Sequence, residues 1–407
     1  MLCHGPEDQR ALDARRAKYS ANVLEFEVVL SLLENFAHSS LGRRALRDLG
    51  PRPEAQARAA LARVGELRSL EARGGGPSFA GVTDPVPIEP SGRTQRAYDE
   101  ERCMALRGVC LAGRRLTGWF AERTQEAPAS AQVAADLPRL DGLVEAIDAV
   151  LDERGRVRRD ASPLLARLGR EESRLSSEIE TVLRRIVASA GVRAVLSDSA
   201  IHRRGGRPVL AVRAKSSGRV RGLTHDRSQS GESVFIEPNE VLQPGNRLAE
   251  VRADMRRETE RILLELSTIV RAARDKLERL AEGLAELELA SIGARYALAC
   301  DGHVALQPGD LGAAPGLLLR SARHPLLIEQ ERLGEIPSVV PIDLRLGGDF
   351  DMLIITGPNT GGKTLALKTS GIFALLTRCG LPVPAAEGTT VPLFERVAAD
   401  IGDEQEI

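Results

Sequence analysis

The sequence predicts a mostly α protein in which long lever helices of coiled-coil type carry a small β-containing tip, followed by a partial α/β domain built on a glycine loop. Three observations predict it. Aromatic residues are 3% of the 407, so a core must come from Leu, Val, Ile and Ala, which favours helices over a β-sandwich. Two long central stretches repeat apolar residues at steps of three and four. Near residue 357 an apolar run meets clustered glycines followed by Lys-Thr.

In chain order, residues 20–70 read as helical, with Leu24, Val28, Leu32 and Phe36 at helical spacing. Pro51-Arg52-Pro53, Gly74-Gly75-Gly76-Pro77 and the stretch from Pro85 to Pro90 interrupt the pattern, and residues 95–150 return to it. Ser162-Pro163 opens the next helix, Pro being tolerated in a first turn. Its apolar positions are Leu165, Leu168, Leu175, Ile179, Val182 and Ile186, and Gly191 is its expected end. Residues 247–298 read as one long helix without Pro; about fifty residues would span ~75 Å at ~1.5 Å each. So long a helix needs a partner, and the 164–190 helix is the nearest. The alternative is two helices broken near Gly283.

Between these helices, residues 201–238 hold two β-like runs, 208–212 and 233–236, with glycine turns. Residues 203–227 carry Arg203, Arg204, Arg207, Arg213, Lys215, Arg219, Arg221 and Arg227 against one acid, Asp226. Such a patch suits contact with phosphates; the plainer account is a solvated Arg-rich surface. The candidate contacts are Arg203, Arg204, Arg207, Lys215, Arg219 and Arg221. The whole chain has net charge −1, so any polyanion contact must be local.

Five scattered cysteines (Cys3, Cys103, Cys110, Cys300, Cys379) show no zinc-like spacing and no disulfide framework. No basic region followed by an apolar run opens the chain, and no stretch reaches ~18 apolar residues. A reducing cytoplasm, no signal peptide and no membrane contact are the expectations. Only five of the 56 basic residues are Lys (Lys18, Lys215, Lys276, Lys363, Lys368).

The final segment turns to α/β. Residues 351–356 read as an apolar strand, 364–376 as a helix closed near Gly380, and 391–398 as a further strand. Between strand and helix lies Gly357-Pro358-Asn359-Thr360-Gly361-Gly362-Lys363-Thr364, the pattern G-x-x-x-x-G-K-T. Glycines let backbone N–H groups turn inward, and a helix N-terminus adds partial positive charge. Lys363 is placed for β- and γ-phosphates and the Thr364 hydroxyl for Mg²⁺, so ATP or a close relative is the expected ligand. Hydrolysis also needs a metal-holding acid on a later apolar strand. Asp400, after Val397-Ala398-Ala399, is a poor candidate, and the chain is expected to stop before that acid.

Together these residues resemble the MutS family of DNA mismatch-repair ATPases. The loop from Thr356 to Thr364 and Ala322-Arg323-His324-Pro325-Leu326-Leu327 carry the likeness. Gly231-Glu232-Ser233-Val234-Phe235-Ile236-Glu237-Pro238, His225-Asp226-Arg227-Ser228 and Asp400-Ile401-Gly402-Asp403-Glu404-Gln405 point to the bacterial MutS-two branch. The resemblance is weak before residue 150 and strong after 200.

It implies residues 1–160 as a helical core, 161–300 as a lever with its basic tip at about 200–238, and 301–407 as part of an ABC-like P-loop ATPase domain. It implies a homodimer whose ATP sites are completed across subunits, with residues 400–407 leading into the signature segment. That signature, the metal-holding acid and the branch's C-terminal nuclease domain are missing, so an N-terminal fragment is expected. Mismatch-reading members wedge a Phe-x-Glu into DNA. Here Phe120-Ala121-Glu122 sits in a helical pattern and Phe235-Ile236-Glu237 in a strand-like run, so a mismatch reader is not expected. The expected role is ATP-dependent work on branched or double-stranded DNA that suppresses recombination. Alternatives are a factor for collided ribosomes, touching rRNA, and a nucleotide-binding module without turnover. His324 either shapes the ATPase site or is a packed histidine, and an adenine contact near residues 338–340 would be aliphatic.

Overall fold

A computed structural model describes residues 6–85, 87–89, 96–357 and 362–401. The described residues are mostly helical, with small antiparallel sheets. Helices α1 (Pro6–Val23), α2 (Phe26–Leu33), α3 (Ser40–Arg47) and α4 (Glu54–Glu71) open the chain, and α5 (Glu100–Ala121), α6 (Pro128–Ala135) and α7 (Asp141–Val150) follow. Next come α8 (Pro163–Ala188) and the short α9 (Ala190–Arg193). Strands β1 (Leu196–Arg204), β2 (Arg207–Arg213), β3 (Gly222–Arg227) and β4 (Ser233–Pro238) lead into α10 (Asn239–Ala272) and α11 (Arg274–Ala299). The last elements are β5 (Leu317–Ala322), α12 (Pro325–Leu333), β6 (Ile342–Leu346) and α13 (Lys363–Arg378).

Two compact units result, neither continuous in sequence. The first comprises Met1–Ile88, Ala105–Asp141 and Ala273–Ile407; the second comprises Glu89–Met104 and Gly142–Ala272. In the first, α11 is the central helix and packs on α3, α4 and α6. A core of Leu24, Leu33, Leu46, Ile292, Tyr296, Phe373 and Leu376 joins α11 and α13 to the opening helices. Close approach explains two glycines there. A Cβ at Gly283 would meet Leu137 at 2.4 Å, and one at Gly380 would meet Ala60 at 2.3 Å.

In the second unit α8 and α10 run antiparallel, since Ser162 meets Glu258 while Glu171 meets Arg247. Leu168, Leu175, Ile179 and Leu183 of α8 pack against Leu248 and Val251 of α10. The tip is a four-stranded antiparallel sheet in the order β1-β2-β4-β3. Its inner face, Leu210, Val212, Val234 and Ile236, continues the same core.

The structure corrects several expectations. The 247–298 helix is not continuous: it breaks at Ala273 (φ −89°, ψ 3°), not at Gly283, and its first half starts at Asn239. The break falls where the chain leaves the partner α8 and gains α3, α4 and α6, so packing rather than a breaker residue sets it. Residues 351–356 form no strand, and Met352 and Ile354 are each 76% exposed. An apolar run becomes a buried strand only with partner strands beside it, and among the described residues nothing pairs with it. Residues 391–398 are likewise not a strand, although Thr390 bridges Leu306 and Leu318.

Candidate functional site

Two regions carry the candidate chemistry, one in each unit. In the first, Gly357 (φ +148°) and Gly362 (φ +74°) hold backbone conformations that suit glycine, and a Cβ at either would meet nothing within 4 Å among the described residues. Gly362 is the N-cap of α13, so the loop delivers the chain straight into a sixteen-residue helix. The Lys363 ammonium donates to the Gly357 carbonyl. Thr364 is exposed at the helix start. An accessible helix N-terminus with a cation and a hydroxyl fits phosphate and a divalent ion. Pro358, Asn359, Thr360 and Gly361 lie outside the described residues.

The flank of α13 is anchored from far away in sequence. Glu25, at the corner between α1 and α2, sits at φ +57°, which costs a non-glycine residue about 1 kcal/mol. Its carboxylate accepts from Lys368 at 2.8 Å. Next to it, a Cβ at Gly371 would meet Leu24 at 2.7 Å. His324 is 4% exposed, and neither ring nitrogen has a hydrogen-bond partner among the described residues. Burial pulls its pKa down to about 4, so the ring is neutral at pH 7. Sequence reading missed Glu25 because its partner lies 343 residues away. There is no local clue either, since Leu24 and Val28 keep helical spacing straight through the corner. At residues 338–340, Val339 is buried and Val340 is 75% exposed.

In the second unit, the tip sorts its basic side chains into two groups. Arg207 is committed: it pairs with the fully buried Glu237 at 3.2 Å and also donates to Asn246. His225 meets the other oxygen of Glu237 at 2.6 Å, so the two family-like stretches are joined at this carboxylate. Arg204 lies 4.0 Å over the Phe235 ring and 3.8 Å from Asp226. Arg203, Lys215, Arg219 and Arg221 are exposed and form no ion pair among the described residues. Arg213 and Arg227, which the list of candidate contacts omitted, are exposed and unpaired in the same way. Of the two Phe-x-Glu tripeptides, Phe120 is fully buried and Phe235 is 7% exposed, so neither ring projects as a wedge.

These regions define a class: a mostly helical protein with small antiparallel sheets, bearing a G-x-x-x-x-G-K-T loop ahead of a helix whose second half is buried. No protein-family model matches the chain. Among curated proteins it is 35% identical over 393 residues to Endonuclease MutS2 of Pelotomaculum thermopropionicum, covering 94% of this chain and 48% of that protein. It is 33% identical over 389 residues to Endonuclease MutS2 of Ruminiclostridium cellulolyticum, covering 95% of this chain and 48% of that protein. With Endonuclease MutS2 of Symbiobacterium thermophilum the identity is 34% over 385 residues, covering 94% and 47%. The chain belongs to the MutS2 family, and it spans about half the length of the curated relatives it matches. Among the described residues no helix is long and apolar enough to cross a membrane.

Proposed function

We propose that this chain is an ATP-binding, nucleic-acid-processing protein of the MutS2 type, in which a phosphate loop and a basic tip serve the two ligands. The observation that carries it is the entry into α13: two glycines at positive φ, the Lys363 ammonium on the Gly357 carbonyl and Thr364 at an exposed helix start. The Gly357–Thr364 backbone and Lys363 hold the phosphates, and the Thr364 hydroxyl reaches Mg²⁺. Bound Mg²⁺ would neutralise phosphate charge. The residues here bind and orient, and no hydrolytic step is assigned to them. A homodimer completes each site. The tip meets the phosphates of branched or double-stranded DNA through Arg203, Lys215, Arg219 and Arg221, joined by Arg213 and Arg227.

Lys363→Ala is expected to abolish retention of a fluorescent ATP analogue with Mg²⁺; retention at wild-type affinity sinks the loop assignment. Alanine at Arg203, Arg219 and Arg221 together is expected to weaken binding to a four-way DNA junction. The slope of log affinity against log salt should fall by roughly one per lost phosphate contact. An unchanged affinity and slope defeats the tip assignment. Co-sedimentation with stalled ribosomes, without junction binding, redirects the tip to RNA.

A further inference from the structure

The tip sheet has a second face that the basic patch alone does not explain. By register, Val209 and Ala211 of β2 and Phe235 of β4 lie opposite the face that packs on α8 and α10. They form a small apolar cluster of their own. In a chain with only eight Phe, one sits here on a four-stranded sheet instead of in the main cores. Over the ring lie two side chains from β1. Arg204 stacks on its face at 4.0 Å, and His202 meets it edge-on at 5.5 Å. The tethers on Arg204 are weak: its ion pair with Asp226 is 3.8 Å long, between side chains 42% and 60% exposed, and its hydrogen bond to the Arg203 carbonyl, at 3.2 Å, is at the surface. The His202 tether, to Asp198 at 2.9 Å, is also at the surface.

We infer that Phe235 and Arg204 form a stacking slot for an unpaired nucleobase, the guanidinium lifting by one layer so that the base lies between ring and cation. This rests on the tip reading above and gives it a substrate class: nucleic acid with single-stranded character. A flat face is recognised by stacking, and a base offers that face only when it has left the duplex. Charge complementarity selects a nucleotide over other flat molecules. Arg213 shares the face by register, whereas Arg203 and Arg227 fall on the opposite face; Lys215, Arg219 and Arg221 are exposed elsewhere on the tip, without ion-pair partners among the described residues. A phosphate beside the stacked base would meet Arg213, and the strand leaving the slot would reach the exposed cations of the tip.

The test uses the full chain and an oligonucleotide carrying 2-aminopurine, either single-stranded or annealed. The single strand is expected to bind with quenched fluorescence, and the matched duplex to bind without quenching. Phe235→Leu, which keeps an apolar side chain, is expected to lose about tenfold in single-strand affinity and the quench, with an unchanged salt slope. Phe235→Tyr is expected to restore both, and it keeps the result interpretable should the Leu variant melt early. Wild-type binding and quenching by a folded Phe235→Leu protein overturn the slot. If alanine at Arg203, Arg219 and Arg221 still lowers the salt slope in that case, the basic-tip reading survives alone. If the wild type binds neither strand form, both readings fall.

Discussion

Among the described residues, the two units use the same device once each. In the first, Ser39 caps α3: its hydroxyl accepts from the Gly42 N–H at 2.9 Å and donates to Glu288 on α11. In the second, Ser162 caps α8: its hydroxyl accepts from the Leu165 N–H at 3.0 Å and donates to Glu258 on α10 at 2.7 Å. The rest of each carboxylate's surroundings differs. Glu288 is fully buried and takes backbone N–H bonds from His38 at 3.0 Å and Ser39 at 2.8 Å, with no ion pair among the described residues. Glu258 takes a two-point contact from Arg261 at 2.7 and 2.9 Å, and that arginine is half-exposed. Backbone donors cannot turn away to water, whereas a surface guanidinium can. The device therefore fixes a helix junction rigidly in the first unit and reversibly in the second.

The largest expected break is Glu288→Ala. It strands two backbone donors and a hydroxyl in a closed site, at about 1–3 kcal/mol for each group left unpaired. Partial relaxation brings the expected loss to about 3–4 kcal/mol. The single tryptophan, Trp119, belongs to the first unit, so its fluorescence during urea unfolding reports the loss. A loss under 1 kcal/mol would show the site to be open to water. Gly42→Ala comes next, because a Cβ there would lie 2.5 Å from the Glu288 carboxyl carbon. With Glu288 locked, overpacking is expected to cost about 2 kcal/mol, despite the better helix propensity of Ala. The two changes together should cost clearly less than their sum, since removing Glu288 empties the space the new methyl needs.

The second unit was the more legible in sequence, and the comparison shows why. Ser162-Pro163 announces the start of α8, and β2 and β4 announce themselves as apolar runs, because capping and alternation are local signals. Strands β1 and β3 were not read: they lie at the edges of the tip sheet, where polar residues such as Ser197, Asp198, Thr224 and Asp226 hide the alternation. Ser39 is also an N-cap, but its partner Glu288 is 249 residues away inside an apolar helix. The break at Ala273 carries no Gly or Pro and follows from a change of packing partner. The conformations of Gly357 and Gly362 and the end of α13 near Gly380 were legible from chain chemistry alone. The strand expected at 351–356 was not a safe reading, because apolarity records propensity while strand formation needs neighbours. Glu25 and Lys368 were invisible for the same reason as Ser39 and Glu288.

Ser162→Ala should cost about 1 kcal/mol, the usual worth of a helix cap, because Arg261 still holds Glu258. Hydrogen exchange at the first turn of α8 would record it, and a loss matching Glu288→Ala would erase the contrast between the units.

The smallest effect is acid sensitivity. Hydrogen bonds from Arg261, then from Ser162, hold the Glu258 carboxyl at about 2, below its ordinary 4.5. The unfolded chain therefore binds this proton first as pH falls. The stabilisation from Glu258 is complete above pH 4.5 and is lost progressively down through about 2. A carbon-13 NMR titration of the Glu258 carboxyl is expected to give a midpoint well below 4.5. Arg261→Ala should raise that midpoint more than Ser162→Ala does, since the guanidinium is the stronger cause. The reverse order would mean that the serine, and not the surface cation, is what holds this junction. The second unit would then be built on the same rigid principle as the first.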